Sequence, residues 1–174
     1  MAERLTTIRP AVPADASTLA EFAARTFREA FETDNTTENM ALYLASAYGP
    51  DRQAAELRHA GIVTLLAEQE RRLAGYAQLR ESSPPDCVAG PEPIELWRFY
   101  VDRVWQGRGV AQALMTATFD AAAHRGAGTI WLSVWEHNHR AQAFYRKVGF
   151  EDRGAKEFIL GNDRQTDRVM ARRL

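Results

Sequence analysis

Apolar and polar residues change their spacing several times along this chain, and each change marks a predicted element. Residues 6–9 form a short β-prone run that Pro10 and Pro13 close. From Asp15 the spacing turns helical, with Leu19, Phe22, Ala23, Thr26, Phe27 and Ala30 on one face. Asn35 with Glu38 three residues later reads as a reciprocal cap. The helix it opens carries a stripe of Met40, Tyr43, Leu44 and Ala47, and Gly49-Pro50 stops it. Residues 51–60 fit a third short helix. Two strand-like runs, 62–68 and 73–81, lie close enough for a hairpin. Residues 82–93 hold four of the seven prolines, which predicts a loop.

The second half is more apolar in its elements. Residues 94–101 read as a largely buried strand, and 109–124 as a helix with Val110, Ala111, Leu114, Met115, Phe119 and Ala122 on one side. A buried strand follows at 129–134, then a short helix at 140–148 whose stripe is Ala141, Phe144, Tyr145 and Val148. Two closing strands, 151–160 and 168–174, are joined through residues 161–164. Hairpins and crossovers together predict one α/β domain, residues 1–174. Its centre is a mixed, mostly antiparallel sheet of about seven strands flanked by helices.

Composition narrows the function classes. A chain of 174 residues, 45% hydrophobic and 26% charged, supports one core and contains no stretch apolar enough to span a bilayer. Its opening residues lack the apolar run of a secretory leader, and its single cysteine, Cys87, cannot form an internal disulfide; both predict a cytoplasmic protein. The net charge of −1 lacks the basic surplus that binding nucleic acid demands, and it is compatible with a cationic small substrate. His137 and His139 have no nearby cysteine, and His59 and His124 lie in other segments, so no metal site is expected.

Candidate chemistry concentrates in residues 97–115, WRFYVDRVWQGRGVAQALM. A buried strand runs into a turn of Gln106, Gly107, Arg108 and Gly109, and a helix begins at once. The first helical turn has unpaired N–H groups and partial positive charge, which suit a phosphate. The glycines let the backbone approach an anion, and Arg108 adds a charge-assisted donor. An ordinary glycine turn before a helix explains the segment equally well when it stands alone. A dinucleotide fingerprint does not fit, because Gln112 occupies its third glycine position.

The later segment 131–150, WLSVWEHNHRAQAFYRKVGF, adds Asn138, Ala141, Phe144-Tyr145, Lys147 and Gly149-Phe150. Together with Gln106, Gly107, Arg108, Gly109, Val110 and Ala111, these residues resemble the GNAT superfamily of N-acetyltransferases. Further matches in residues 26–44 and 160–167 resemble the PaiA-type spermidine/spermine acetyltransferases. The resemblance implies acetyl-CoA as co-substrate, a small-molecule amine as acceptor, and a homodimer, since family members are often dimers. It implies that the pantetheine arm pairs with Phe99, Tyr100 and Val101 and that the amides of 106–111 hold the pyrophosphate. Asn138 would hydrogen-bond the pantetheine, Lys147 would reach a phosphate, and Tyr145 would return a proton to the CoA thiolate. From spacing alone, Phe99–Val101 read as core strand, Asn138 as a helix cap, Tyr145 as packing and Lys147 as a solvated surface residue.

The proton acceptor departs from the resemblance. Where PaiA-like strands carry Glu, this chain has Trp97; Glu95, two residues earlier, falls on the same face by alternation. Glu136, His137 and a water chain are the other candidates, and Phe27, Phe31 and Glu32 are candidate acceptor-site residues. Two alternative functions stay open: an acetyl-CoA-binding sensor without turnover, and an acetyltransferase of protein N-terminal amines.

Overall fold

The computed structural model describes residues 6–174. Seven strands form one sheet: β1 (Thr7–Pro10), β2 (Ile62–Gln69), β3 (Arg72–Arg80), β4 (Pro93–Val101), β5 (Thr129–Trp135), β6 (Glu151–Leu160) and β7 (Asp163–Arg173). The spatial order is β1-β2-β3-β4-β5-β7-β6, antiparallel except for the parallel pair β4–β5. Five α-helices accompany it: α1 (Ala16–Phe31), α2 (Thr37–Ala47), α3 (Pro50–Arg58), α4 (Val110–His124) and α5 (His139–Lys147). The expected architecture and strand count are as found.

Two cores lie on opposite faces of the sheet. On one, Leu79, Leu96, Ile130, Leu132 and Met170 pack with Leu114 and Met115 of α4 and with Tyr145 and Phe150 at α5. On the other, Tyr76, Leu66 and Leu160 pack with Leu19, Phe22 and Phe27 of α1 and Met40 of α2. This is why the strands read as continuous apolar runs: both of their faces are covered.

Three local expectations need correction. The cap of α2 is Thr36, whose hydroxyl accepts from the Asn39 amide at 3.2 Å; the Asn35 side chain instead donates to the Phe31 carbonyl at 2.8 Å. The last strand begins at Asp163, because Leu160 pairs with Asp163 across a two-residue turn, Gly161-Asn162. Polar residues 163–167 hid this extension from a reading based on apolar runs. Finally, β4 does not alternate regularly. Leu79 pairs with Leu96 and Gln78 with Arg98, so Trp97 is an extra residue in a bulge. As a result Leu96 and Phe99, three apart, both face the α4 side.

The joint between β4 and β5 positions the site. These strands pair only at Pro93–Thr129, Ile94–Ile130 and Glu95–Trp131, and then part. Beyond that point residues 96–101 of β4 keep their partner β3 on one edge, and residues 132–135 of β5 keep β7. A wedge opens between them through the sheet.

Candidate active site

A cavity of about 650 Å³ fills this wedge and reaches both faces of the sheet. Its α4–α5 side begins at the turn after β4. Asp102 N donates to the Ala74 carbonyl at 2.9 Å, and the Asp102 carboxylate accepts from Val104 N at 3.2 Å and from Arg25 at 2.7 Å. Trp105 is buried beneath the turn, and the Gln106 side chain donates to the Val101 carbonyl at 3.0 Å. The turn is therefore tied back to the strand it leaves. Gly107 and Gly109 have φ of 73° and 84°, a region that side chains with a Cβ rarely enter. A Cβ at either would meet nothing within 4 Å, so these glycines leave open space over the first turn of α4. Gly109 is the N-cap and supplies no side-chain acceptor, which leaves the helix's first amides for an anion.

The other candidates distribute unevenly. Ala111 lines the cavity, whereas Val110 is fully buried in the core and offers only its backbone. Arg108 is exposed with its guanidinium 5.4 Å over the Trp105 ring and is not among the cavity-lining residues; Arg103 and Arg140 are. Phe99, Tyr100 and Val101 line the wedge along its β4 edge. The Phe99 ring stacks on Phe144 at 5.7 Å and meets Tyr145 edge-on at 6.4 Å, so it fixes α5 against the strand across the gap. Tyr145 is 9% exposed, and burial pushes its phenol well above the ordinary tyrosine range, which keeps it protonated. Asn138 is the N-cap of α5, accepting from Ala141 N at 3.1 Å, and also lines the cavity. Lys147 is exposed in the last turn of α5, away from the cavity-lining residues.

The opposite side is aromatic. Phe27, Phe31, Tyr43, Trp97, Trp135 and Phe158 contribute to its walls, while Glu32 is not among them. The Trp97 ring lies between two guanidiniums, 4.1 Å from Arg80 and 3.8 Å from Arg98. Arg98 is itself buried, donating to Glu56 at 2.7 Å, to Gln78 at 2.8 Å and to the Ala47 carbonyl at 3.3 Å. Glu95 is 3% exposed and already engaged: Arg80 donates to it at 2.5 and 3.2 Å, and Ser82 at 2.7 Å. Its visible job is to hold Arg80 against Trp97, and its oxygens have little capacity left for a further proton donor. His137 reaches the cavity but is exposed, 3.7 Å from Glu136. The sequence reading missed Asp167, which is 6% exposed and lines the cavity through the strand extension at 163–167.

Among the described residues no group of three or more His, Cys, Asp or Glu side chains could hold a metal, and no helix is long and apolar enough to cross a membrane. A glycine turn on a helix N-terminus, opening into a gap between parting parallel strands, fits a long ligand that carries an anionic group.

Comparison with known proteins agrees. The Acetyltransferase (GNAT) family matches residues 18–150. This chain belongs to that family. It is 36% identical over 160 residues to an uncharacterized N-acetyltransferase of Mycobacterium tuberculosis strain H37Rv, covering 92% of this chain and 98% of the relative. It is 30% identical over 159 residues to an uncharacterized N-acetyltransferase of Lactobacillus delbrueckii, covering 90% and 92%. Among solved folds it is similar to a PaiA N-acetyltransferase from Thermoplasma acidophilum in complex with coenzyme A. That similarity has a TM-score of 0.79 at 18% identity and covers 98% of this chain and 99% of the other. The GNAT chain is thus an N-acetyltransferase by class.

Proposed function

We propose that this GNAT protein moves the acetyl group of acetyl-CoA to a primary amine of a small molecule, of the polyamine class, by direct transfer in a ternary complex. The observation that carries the reading is the wedge itself: one cavity joins a phosphate-ready turn on one face of the sheet to an aromatic pocket on the other. Donor and acceptor then meet where the strands part, and holding both in one geometry removes much of the entropic barrier.

In this reading the first amides of α4, with Gly107 and Gly109, hold the pyrophosphate. The free edge of β4 at Phe99, Tyr100 and Val101 takes the amide-bearing arm as an added strand. Backbone N–H groups there polarise the thioester oxygen. The neutral amine attacks the thioester carbon; the N–C bond forms and the C–S bond breaks. Tyr145 gives its proton to the departing thiolate, and the nitrogen's surplus proton leaves through water, which later reprotonates the phenolate. Overall an ammonium and a thioester become an amide, a thiol and one released proton. Burial keeps the Tyr145 phenol protonated and ready to donate but also makes it a weaker acid, so the transfer relies on the same desolvation making the leaving thiolate more basic.

Thiol release from acetyl-CoA, measured across polyamines, aminoglycosides, amino acids and peptides, tests the reading. Acetylation of a small amine is the expected result. The tight engagement of Glu95 is the one observation that favours the sensor alternative. Acetyl-CoA binding with no turnover on any acceptor would establish it, and preferential turnover of peptides would point to N-terminal amines.

A further inference from the structure

Four carboxylates line the cavity, and three have an evident explanation. Glu29 pairs with Arg25 at 3.1 Å, Glu95 is held by Arg80 and Ser82, and Asp34 is exposed at the rim. Asp167 is different. It is 6% exposed, and among the described residues no guanidinium or ammonium lies within 4 Å of it. A buried carboxylate without a cation is costly unless something supplies one.

Register shows what surrounds it. Asp167 is opposite Trp135 on β5 and opposite Lys156 on β6, so the three side chains form one row across the sheet, all lining the cavity. Trp135 meets Phe31 edge-on at 6.3 Å, and Phe158, two residues along from Lys156, meets Tyr43 at 5.7 Å. Aromatic walls around one carboxylate form a receptor for an organic ammonium: the rings attract the cation and cover its carbon body, and the carboxylate takes its N–H groups. Burial pushes the Asp167 carboxyl up, and Glu136 adds to this; the Ser133 hydroxyl and the Lys156 ammonium pull it back down. Lys156 sits 5.6 Å over the Trp131 ring, with no carboxylate of the described residues within 4 Å. It therefore supplies positive charge near Asp167 without neutralising it by contact.

We propose that Asp167 is the residue that receives the acceptor's ammonium group, which passes one proton to water before the freed neutral nitrogen attacks, and that Lys156 is an internal competitor whose field the arriving ammonium must overcome. This rests on the acetyltransferase reading above and adds what that reading lacked, a determinant of acceptor binding. The acceptor class it selects is a primary alkylamine whose ammonium is followed by methylenes or a ring that can lie against Trp135, Phe31 and Phe158.

The test compares wild type, Asp167→Asn, Asp167→Glu and Lys156→Met for acetylation of spermidine, 1,4-diaminobutane and phenethylamine. Calorimetric affinity for acetyl-CoA serves as the control for an intact fold. Asp167→Asn is expected to raise the amine KM by about tenfold or more, the size of one charge-assisted contact, with a smaller change in kcat and unchanged acetyl-CoA affinity. Asp167→Glu restores part of the loss, and Lys156→Met lowers the amine KM. If wild type acetylates any of these amines while Asp167→Asn keeps its KM, the proposal falls and the acetyltransferase reading stands. A higher KM in Lys156→Met overturns the competitor role. Acetyl-CoA binding with none of the three amines acetylated by wild type overturns the acceptor class.

Discussion

The two faces of the sheet are built by different means. On the α4–α5 face the site is made largely of backbone: a turn, a helix start and a strand edge, most of it within residues 97–115. On the α1–α3 face it is made of side chains from distant segments. Arg98, which lines the cavity, donates to Glu56 across 42 residues, and Gln165, which also lines it, donates to Asn35 across 130. Backbone machinery tolerates sequence change wherever the glycines and the fold survive. Side-chain machinery is rewritten by single substitutions.

The sharpest way to break this contrast is Glu56→Ala. It strands the buried Arg98 guanidinium and is expected to cost about 3–5 kcal/mol, read by urea denaturation. Acetyl-CoA affinity of the folded protein should change little; a large loss would show that the two faces are not separable. Next, Tyr145→Phe should lower kcat by about a hundredfold or more while leaving the denaturation midpoint in place. An unchanged rate and pH profile would remove the acid assignment.

Gly109→Val should cost about 1–3 kcal/mol of stability, because φ of 84° is hostile to a β-branched residue. It should also weaken acetyl-CoA in calorimetry, since its side chain enters the space left for the anion. Asn138→Ala removes the α5 cap and is expected to cost about 1 kcal/mol in denaturant titration. The smallest effect concerns Asp15, outside both sites. The Arg9 guanidinium beside it holds its carboxyl below the usual range. A depressed carboxyl stabilises the fold above its unfolded pKa and loses that contribution as pH falls through the folded value. Asp15→Asn should therefore cost under about 1 kcal/mol at neutral pH, because Arg9 is well exposed, and the difference should vanish in strong acid.

The same contrast explains what could be read from the chain. Helix stripes such as Leu114 with Met115, and strand runs such as 129–134, announce themselves because burial on one face imposes a period. Gly107 and Gly109 were legible because a left-handed backbone leaves a compositional trace. The bulge at Trp97 was not, since an extra residue in a strand looks locally like any other; only the partners of Leu79 and Gln78 reveal it. Asp167 escaped for a related reason. It lies in a polar stretch whose strand character comes from pairing with β5 and β6, not from its own side chains. Glu95 was visible by alternation, but Arg80 and Ser82, which occupy its oxygens, lie in the preceding strand and the loop.

The three-position joint between β4 and β5 has a further consequence. Beyond it, backbone amides on the inner edges of both strands lack a sheet partner across the gap, so isotope exchange with solvent is expected to be faster there than at paired amides. A donor arm seated there would slow exchange at those amides of residues 99–101 that face the gap rather than β3, while the paired amides of β2 and β3 would serve as an internal clock. Occupancy would then be readable amide by amide, before any acceptor is known and without a single turnover. At a hundredfold excess of donor over its Kd, the same binding would add about 2.7 kcal/mol to the apparent stability.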